Sequence, residues 1–383
     1  MNTQLEFQEL EDVQIVEPEI ESQEEQSFLM QQPFDPTQIS IDTRTLSLDT
    51  LIRRIINKEI ELNSESYFQR MPNLWNDGKQ SRLIESILIN FPLPAFYFDG
   101  SNPDKWLVID GLQRLSSMRR FIIDKELRLK HLEFLTQFNG FTYDDLPRDI
   151  QRKLLESHIT AFIINPGTPV DVKFNIFKRI NTEGISLEPQ EIRHALFQGA
   201  SANFIAELGS LEEFDEATDY SLTNNSRMLD RDFANRFLCF YLLGYEQYEP
   251  DLDTFMSQAM AAVSDFTEDK KQKIKNAYIH SLNLNKDVFG KNAFRKIDNT
   301  GKRKPINKAI FDVFSVQFAL LNENERSIVL KSKEQVNQAL ISLLENDPIF
   351  LASVSSATSD KSKVIYRHKT IENVIKNIIH NYD

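Results

Sequence analysis

The chain has 383 residues, 41% of them hydrophobic, with 28 Phe and a net charge of −13. That supplies apolar material for two or three packed domains and excludes a wholly disordered chain. A single Cys, Cys239, excludes an intramolecular disulfide and a cysteine metal cage, and the absence of a long apolar run or a basic-then-apolar start predicts a cytoplasmic protein without membrane contact.

The charge is unevenly placed. Residues 1–36 carry ten acids and no Lys or Arg, which leaves −3 for the remainder. Residues 1–40 read as a disordered acidic arm, either a solubilising tail or a partner-binding segment. Ser47 then caps a helix whose apolar side is Leu48, Leu51, Ile52, Ile55 and Ile56. A loop carries Tyr67-Phe68-Gln69-Arg70 and Trp75. Ser81 opens a second helix with Leu83, Ile84, Ile87 and Leu88 inward, and Pro92-Leu93-Pro94 ends it.

Two strands follow, at residues 95–98 and 106–109. The second stops at Asp110-Gly111, a pair that favours a tight turn with positive φ at the glycine. A helical pattern with Leu115, Met118, Phe121 and Ile122 on one face begins at once. Gln113 and Arg114 therefore sit at a helix N-terminus that leaves a strand, where free N–H groups and a guanidinium fork suit phosphate. No Walker loop occurs. A helix is expected at 150–155 and a strand at 159–164. A helix over 171–180 runs into Asn181-Thr182-Glu183-Gly184, and Pro189 opens one over 190–197. Beyond residue 200 the apolar patterns are helical, at 233–243, 252–263, 270–282, 306–321, 333–344 and 370–379.

Five ordered pieces carry a resemblance. They are Phe68-Gln69-Arg70 with Trp75; Ser86-Ile87-Leu88 with Pro92-Leu93-Pro94; Ile109 to Leu115; Phe177 to Thr182; and Gln190-Glu191-Ile192-Arg193. Together they resemble the GmrSD restriction endonuclease N-terminal domain family. The resemblance implies a ParB/sulfiredoxin-like N-terminal domain with a small mixed sheet over 41–200; with the all-helical domain that the apolar patterns predict over 201–383, the chain is expected to be α+β. The resemblance also implies nucleoside triphosphate binding or hydrolysis, with Mg2+ as a candidate companion, in a bacterial defence system against foreign DNA. The family signature is Asp-Gly-Gln-Gln-Arg; here Leu112 replaces the first Gln, which keeps the turn glycine and the arginine but removes a group that could orient water. Relatives often carry an HNH nuclease domain. No His here sits in a His-Ile-x-Pro setting, so a stand-alone member is expected. His368 and His380 flank an amphipathic pattern and read as solvated or packing residues.

The resemblance assigns Asp110, Gln113 and Arg114 to catalysis. It assigns Gln69, Arg70, Gly111, Arg179, Asn181, Gln190, Glu191 and Arg193 to nucleotide binding. Each has a plainer reading. Asp110 can cap a helix, Arg114 can pair with a carboxylate, Asn181 can end a helix, and Gln190, Glu191 and Arg193 can be helix surface. Residues 291–308 hold Lys291, Arg295, Lys296, Lys302, Arg303, Lys304 and Lys308 against Asp298 alone. This segment is either a solvated loop or a contact for a nucleic-acid backbone through Lys302, Arg303 and Lys304. Three functions stay open: a nucleotide-binding or NTP-hydrolysing defence protein, a non-catalytic DNA-binding or regulatory module working with a separate nuclease subunit, and a nuclease acting through the ParB-like site.

Overall fold

The computed structural model describes residues 20–21, 36–62, 75–180, 188–222, 227–300 and 302–382. They belong to two compact units, Gln32–Gln198 and Gly199–Asp383, the latter including Met1–Gln31.

The first unit mixes strands and helices. Strand β1 (Ile41–Ser47) ends where Ser47 accepts the Thr50 N–H at 3.2 Å and caps helix α1 (Leu48–Ile56). Next come β2 (Ile60–Glu61), α2 (Asp77–Leu88), β3 (Phe96–Asp99), β4 (Trp106–Asp110) and α3 (Leu112–Ile122). They are followed by α4 (Arg148–Glu156), β5 (His158–Ile164), α5 (Val170–Ile180) and α6 (Pro189–Leu196). The five strands form one mixed sheet in the order β1-β5-β3-β4-β2. Strand β3 runs parallel to β5 and antiparallel to β4.

Side chains alternate across a strand, so the sheet supplies two cores. Along β5, Ile163 joins Leu51, Ile84, Phe98, Met118 and Phe121 of the larger core. Its neighbour Ile164 joins Ile109, Phe174, Phe177 and Ile192 of the smaller one. Helices α1 to α4 supply the first core, and α5 and α6 the second.

Two features depart from the sequence reading. Helix α2 begins one turn before Ser81, because Asn76 accepts the Lys79 N–H at 2.9 Å and caps it there. Strand β1 was not expected, since most of its residues are exposed and its pairing with β5 needs no apolar alternation. On α2, Glu85 is buried and accepts the N–H groups of Glu133, Phe134 and Leu135 at 3.1, 2.7 and 2.7 Å. Burial alone would raise its pKa; the three donors outweigh that and hold it below the usual carboxylate range. This carboxylate ties the loop after α3 to α2, together with Ser81, which accepts the Lys130 N–H at 3.1 Å, and Asp77, which pairs with Lys130 at 2.7 Å.

The second unit is helical. It comprises α7 (Ala200–Gly209), α8 (Glu212–Ala217), α9 (Leu229–Leu243), α10 (Leu252–Val263), α11 (Glu268–Phe289), α12 (Lys308–Ala319), α13 (Glu323–Lys331), α14 (Lys333–Asn346), α15 (Pro348–Ser355) and α16 (Lys361–His380). Helix α12 is buried on nearly every side, as an apolar helix without a polar face must be. Its one carboxylate, Asp312, receives both arms of Arg236 at 2.7 and 2.6 Å and Arg367 at 3.3 Å. Helices α7, α8, α13 and α15 carried no clear periodic signal. The expected helix at 306–321 starts later, because Ile306 pairs with Arg295 in a β-bridge and Asn307 caps α12. Among the described residues, no helix is long and apolar enough to cross a membrane.

Candidate functional site

Strand β4 is bent just before it meets α3. Tyr97 pairs with Asp110 but Phe98 pairs with Val108, so Ile109 is the extra residue of a bulge. A bulge re-aims the side chains beside it. Ile109 enters the smaller core, and Asp110 remains at the strand end with its side chain 34% exposed. Gly111 follows with φ at +99°, and a Cβ there would lie 2.4 Å from the Phe96 ring. Only glycine fits both restraints. Gly111 is also the N-cap of α3 and brings no side chain to cap it. The first N–H groups of α3 thus present the positive end of the helix dipole beside Asp110.

Arg114 turns inward from the first turn of α3. Its guanidinium lies 4.3 Å from the centroid of the Phe96 ring. It donates to Asp110 Oδ2 at 2.7 Å, to the Ala95 carbonyl at 3.1 Å and to the Pro94 carbonyl. Burial lowers its pKa, and the Asp110 carboxylate restores part of that loss. In this arrangement Arg114 fixes the position of Asp110. The carbonyl cradle was not read from the sequence. Pro92-Leu93-Pro94 offered a signal, because a chain broken by prolines leaves carbonyls outside any helix or ladder.

The remaining expected residues fall into three groups. Gln113 is half-buried on the first turn of α3, and Arg179 is exposed on the last turn of α5. That helix reaches the β4 end through Phe177, which packs in the same core as Ile109. Gln190, Glu191 and Arg193 are buried at the start of α6. Glu191 accepts the Glu188 N–H at 2.6 Å in a capping box, and Arg193 donates to Gln190 Oε1 at 2.8 Å while lying 5.7 Å from the Phe174 ring. The first two contacts lie within α6; Arg193 on Phe174, with Ile192 in the core beside Ile109, packs α6 on α5. Gln69, Arg70 and Asn181 lie outside the described residues.

A cleft of about 600 Å³ opens between Asp77, Arg128, Lys130, His131 and Asn139. None of Asp110, Gly111, Gln113 or Arg114 lines it, and Asp77 there already bridges Arg120 and Lys130 at 2.7 Å each. Among the described residues no group of three His, Cys, Asp or Glu side chains could hold a metal ion.

In the helical unit, Lys302 is exposed, Lys304 pairs with Asp298 at 3.0 Å, and Arg303 pairs with Asp219 and donates to Ser221 at 2.8 Å. The Thr300 hydroxyl, with Lys304, holds the Asp298 carboxyl down at about 2.

Residues 50–198 match the family described as GmrSD restriction endonuclease, N-terminal domain. The match starts inside α1 and ends where the first unit ends. No curated protein and no solved structure matches the chain.

Proposed function

We propose that this chain is a restriction-related protein directed against foreign DNA, and that its first unit senses a nucleoside triphosphate at the β4–α3 junction. The observation that carries this reading is the N-terminus of α3 at a glycine-only turn, where the cap residue brings no side chain, beside a carboxylate fixed by Arg114. Backbone N–H groups there suit phosphate oxygens. Asp110 suits a phosphate-bound Mg2+, which takes one or two carboxylates and keeps the rest of its shell from phosphate and water. Gln113 lies on the same first turn, and Arg179 is the exposed cation on a helix packed in the same core. Leu112, between Gly111 and Gln113, brings no polar group to orient a water, which favours sensing over rapid hydrolysis.

The test is calorimetric titration of the full chain with ATP, GTP, CTP and UTP, with and without Mg2+, alongside phosphate release. Magnesium-dependent binding that weakens at least tenfold in Asp110→Asn supports the reading. No binding of any nucleotide at millimolar concentration overturns it.

A further inference from the structure

The acidic arm does more than flank the fold. Ile20 forms a parallel β-bridge with Ile306, and the Glu21 N–H donates to the Ile306 carbonyl at 2.9 Å. Ile306 also bridges Arg295 in the antiparallel sense, so Ile20–Glu21 adds a third strand to a minimal ladder. The Glu21 carboxylate is then read by two side chains. Lys296 Nζ lies 2.5 Å from one oxygen, and Asn307 Nδ2 donates to the other at 2.8 Å.

Both readers are themselves fixed. Asn307 is 5% exposed, donates to the Val354 carbonyl at 2.6 Å, and caps α12 by accepting the Ile310 N–H at 2.9 Å. Lys296 is also held by the Ser355 hydroxyl at 2.9 Å. A strand edge that supplies backbone pairing, next to a carboxylate receptor held from behind, has the two parts of strand-addition peptide recognition. The backbone gives affinity and the side-chain pocket gives selectivity.

We propose that the Ile306 edge with Lys296 and Asn307 is a docking site for an extended apolar–acidic segment, and that this chain's own Ile20–Glu21 is its resident occupant. The arm is then a latch on the helical unit and not a solubilising tail. An ion pair and one short ladder close it, so it is weakened by salt and opened by loss of one charge. The proposal stands apart from the nucleotide reading, since its residues and its readout lie in the helical unit.

The experiment uses the full chain and a fluorescent peptide of residues 13–26. In the wild type the tethered arm holds its site at an effective concentration in the millimolar range and excludes the peptide. Glu21→Lys evicts the arm, so the peptide is expected to bind that chain at least tenfold more tightly than wild type by fluorescence anisotropy. A peptide with Glu21→Gln is expected to bind about tenfold more weakly than the native peptide. Adding Lys296→Met to the Glu21→Lys chain is expected to abolish the gain. Circular dichroism establishes that each variant is folded. Equal binding to wild type and Glu21→Lys, or no binding to either up to about 1 mM, overturns the proposal. So does equal binding of a single-stranded oligonucleotide of matched charge, because charge alone would then be what the surface reads.

Discussion

Arg114 and Asp110 hold each other at 2.7 Å across the junction where β4 becomes α3, four residues apart in sequence and on opposite sides of a glycine turn. The arginine is nearly buried and the carboxylate is one-third exposed. The charge that reaches solvent at this junction is therefore the acid. The base works from behind, anchored on the Pro94 and Ala95 carbonyls and the Phe96 ring.

That arrangement predicts a large effect from a change that conserves charge. Lysine cannot reproduce a planar fork that serves two carbonyls and a carboxylate at once. Arg114→Lys is expected to destabilise the first unit by about 1.5–3 kcal/mol, the cost of leaving buried acceptors unpaired. It should also weaken nucleotide binding through loss of Asp110 positioning. Both Trp residues, Trp75 and Trp106, belong to this unit, so urea unfolding followed by Trp fluorescence reports it selectively. A midpoint unchanged from wild type would show that Arg114 anchors nothing.

Gly111→Ala tests the turn itself. The left-handed backbone costs about 1–2 kcal/mol for a residue with a Cβ, and pressing that Cβ into Phe96 adds about 1–3 kcal/mol. The same fluorescence-detected unfolding should show a loss of about 2–5 kcal/mol. Phe96→Ala in the same chain is expected to relieve the contact but not the backbone strain, so the double variant should not sum the two single losses.

The junction was legible in the sequence because its signals are local. An apolar run, Asp-Gly and a helical period lie within seventeen residues, 106–122. What surrounds it was not legible, because it depends on long-range pairing. Arg114 meets carbonyls nineteen and twenty residues earlier. Glu85 serves N–H groups forty-eight to fifty residues later. Gln190, Glu191 and Arg193 have the composition of a polar first turn, yet the packing of α6 on α5 buries them. The acids of the arm gave no strand period, and only the Ile306 edge draws Ile20–Glu21 into a ladder. The basic run at 291–308 counted cations correctly but not their partners, which come from distant positions such as Asp219 and Asp232.

A buried ion pair that the sequence did not reveal ties the far end of β3 to α5. Lys173 Nζ lies 3.1 Å from Asp99 Oδ2, and each side chain is 10% exposed. Ser101 donates its N–H and its hydroxyl to the same carboxylate at 2.9 and 2.5 Å. Lys173→Met leaves a buried acid without its cation, which typically costs about 3–5 kcal/mol. The two Ser101 donors place the expected loss near the low end, at about 3 kcal/mol. Adding Asp99→Asn should restore part of it. A loss below about 1 kcal/mol in urea unfolding would mean that water reaches the pair.

His368 makes the stability of the helical unit depend on pH. It is fully buried in α16, between Phe240 at 4.8 Å and Tyr245 at 5.0 Å, and neither ring nitrogen has a hydrogen-bond partner. Burial, and then the charge of Arg367, hold its pKa well below 6.5. Arg367 is itself pushed down to about 10, chiefly by burial. The folded ring thus stays neutral while the unfolded ring takes a proton below about pH 6.5. The unfolded state then binds more protons, so stability rises with pH and falls as the solution is acidified. His368→Phe removes that site and the two unpaired nitrogens while keeping a ring between Phe240 and Tyr245. The variant is expected to be more stable than wild type at pH 8, by about 1–3 kcal/mol for the unpaired polar atoms. Its advantage should widen by up to about 1.4 kcal/mol for each pH unit below 6. Thermal or urea unfolding followed by circular dichroism at pH 8, 6 and 5 measures both. An advantage that stays constant across the three pH values would show that the ring already carries its proton in the folded chain.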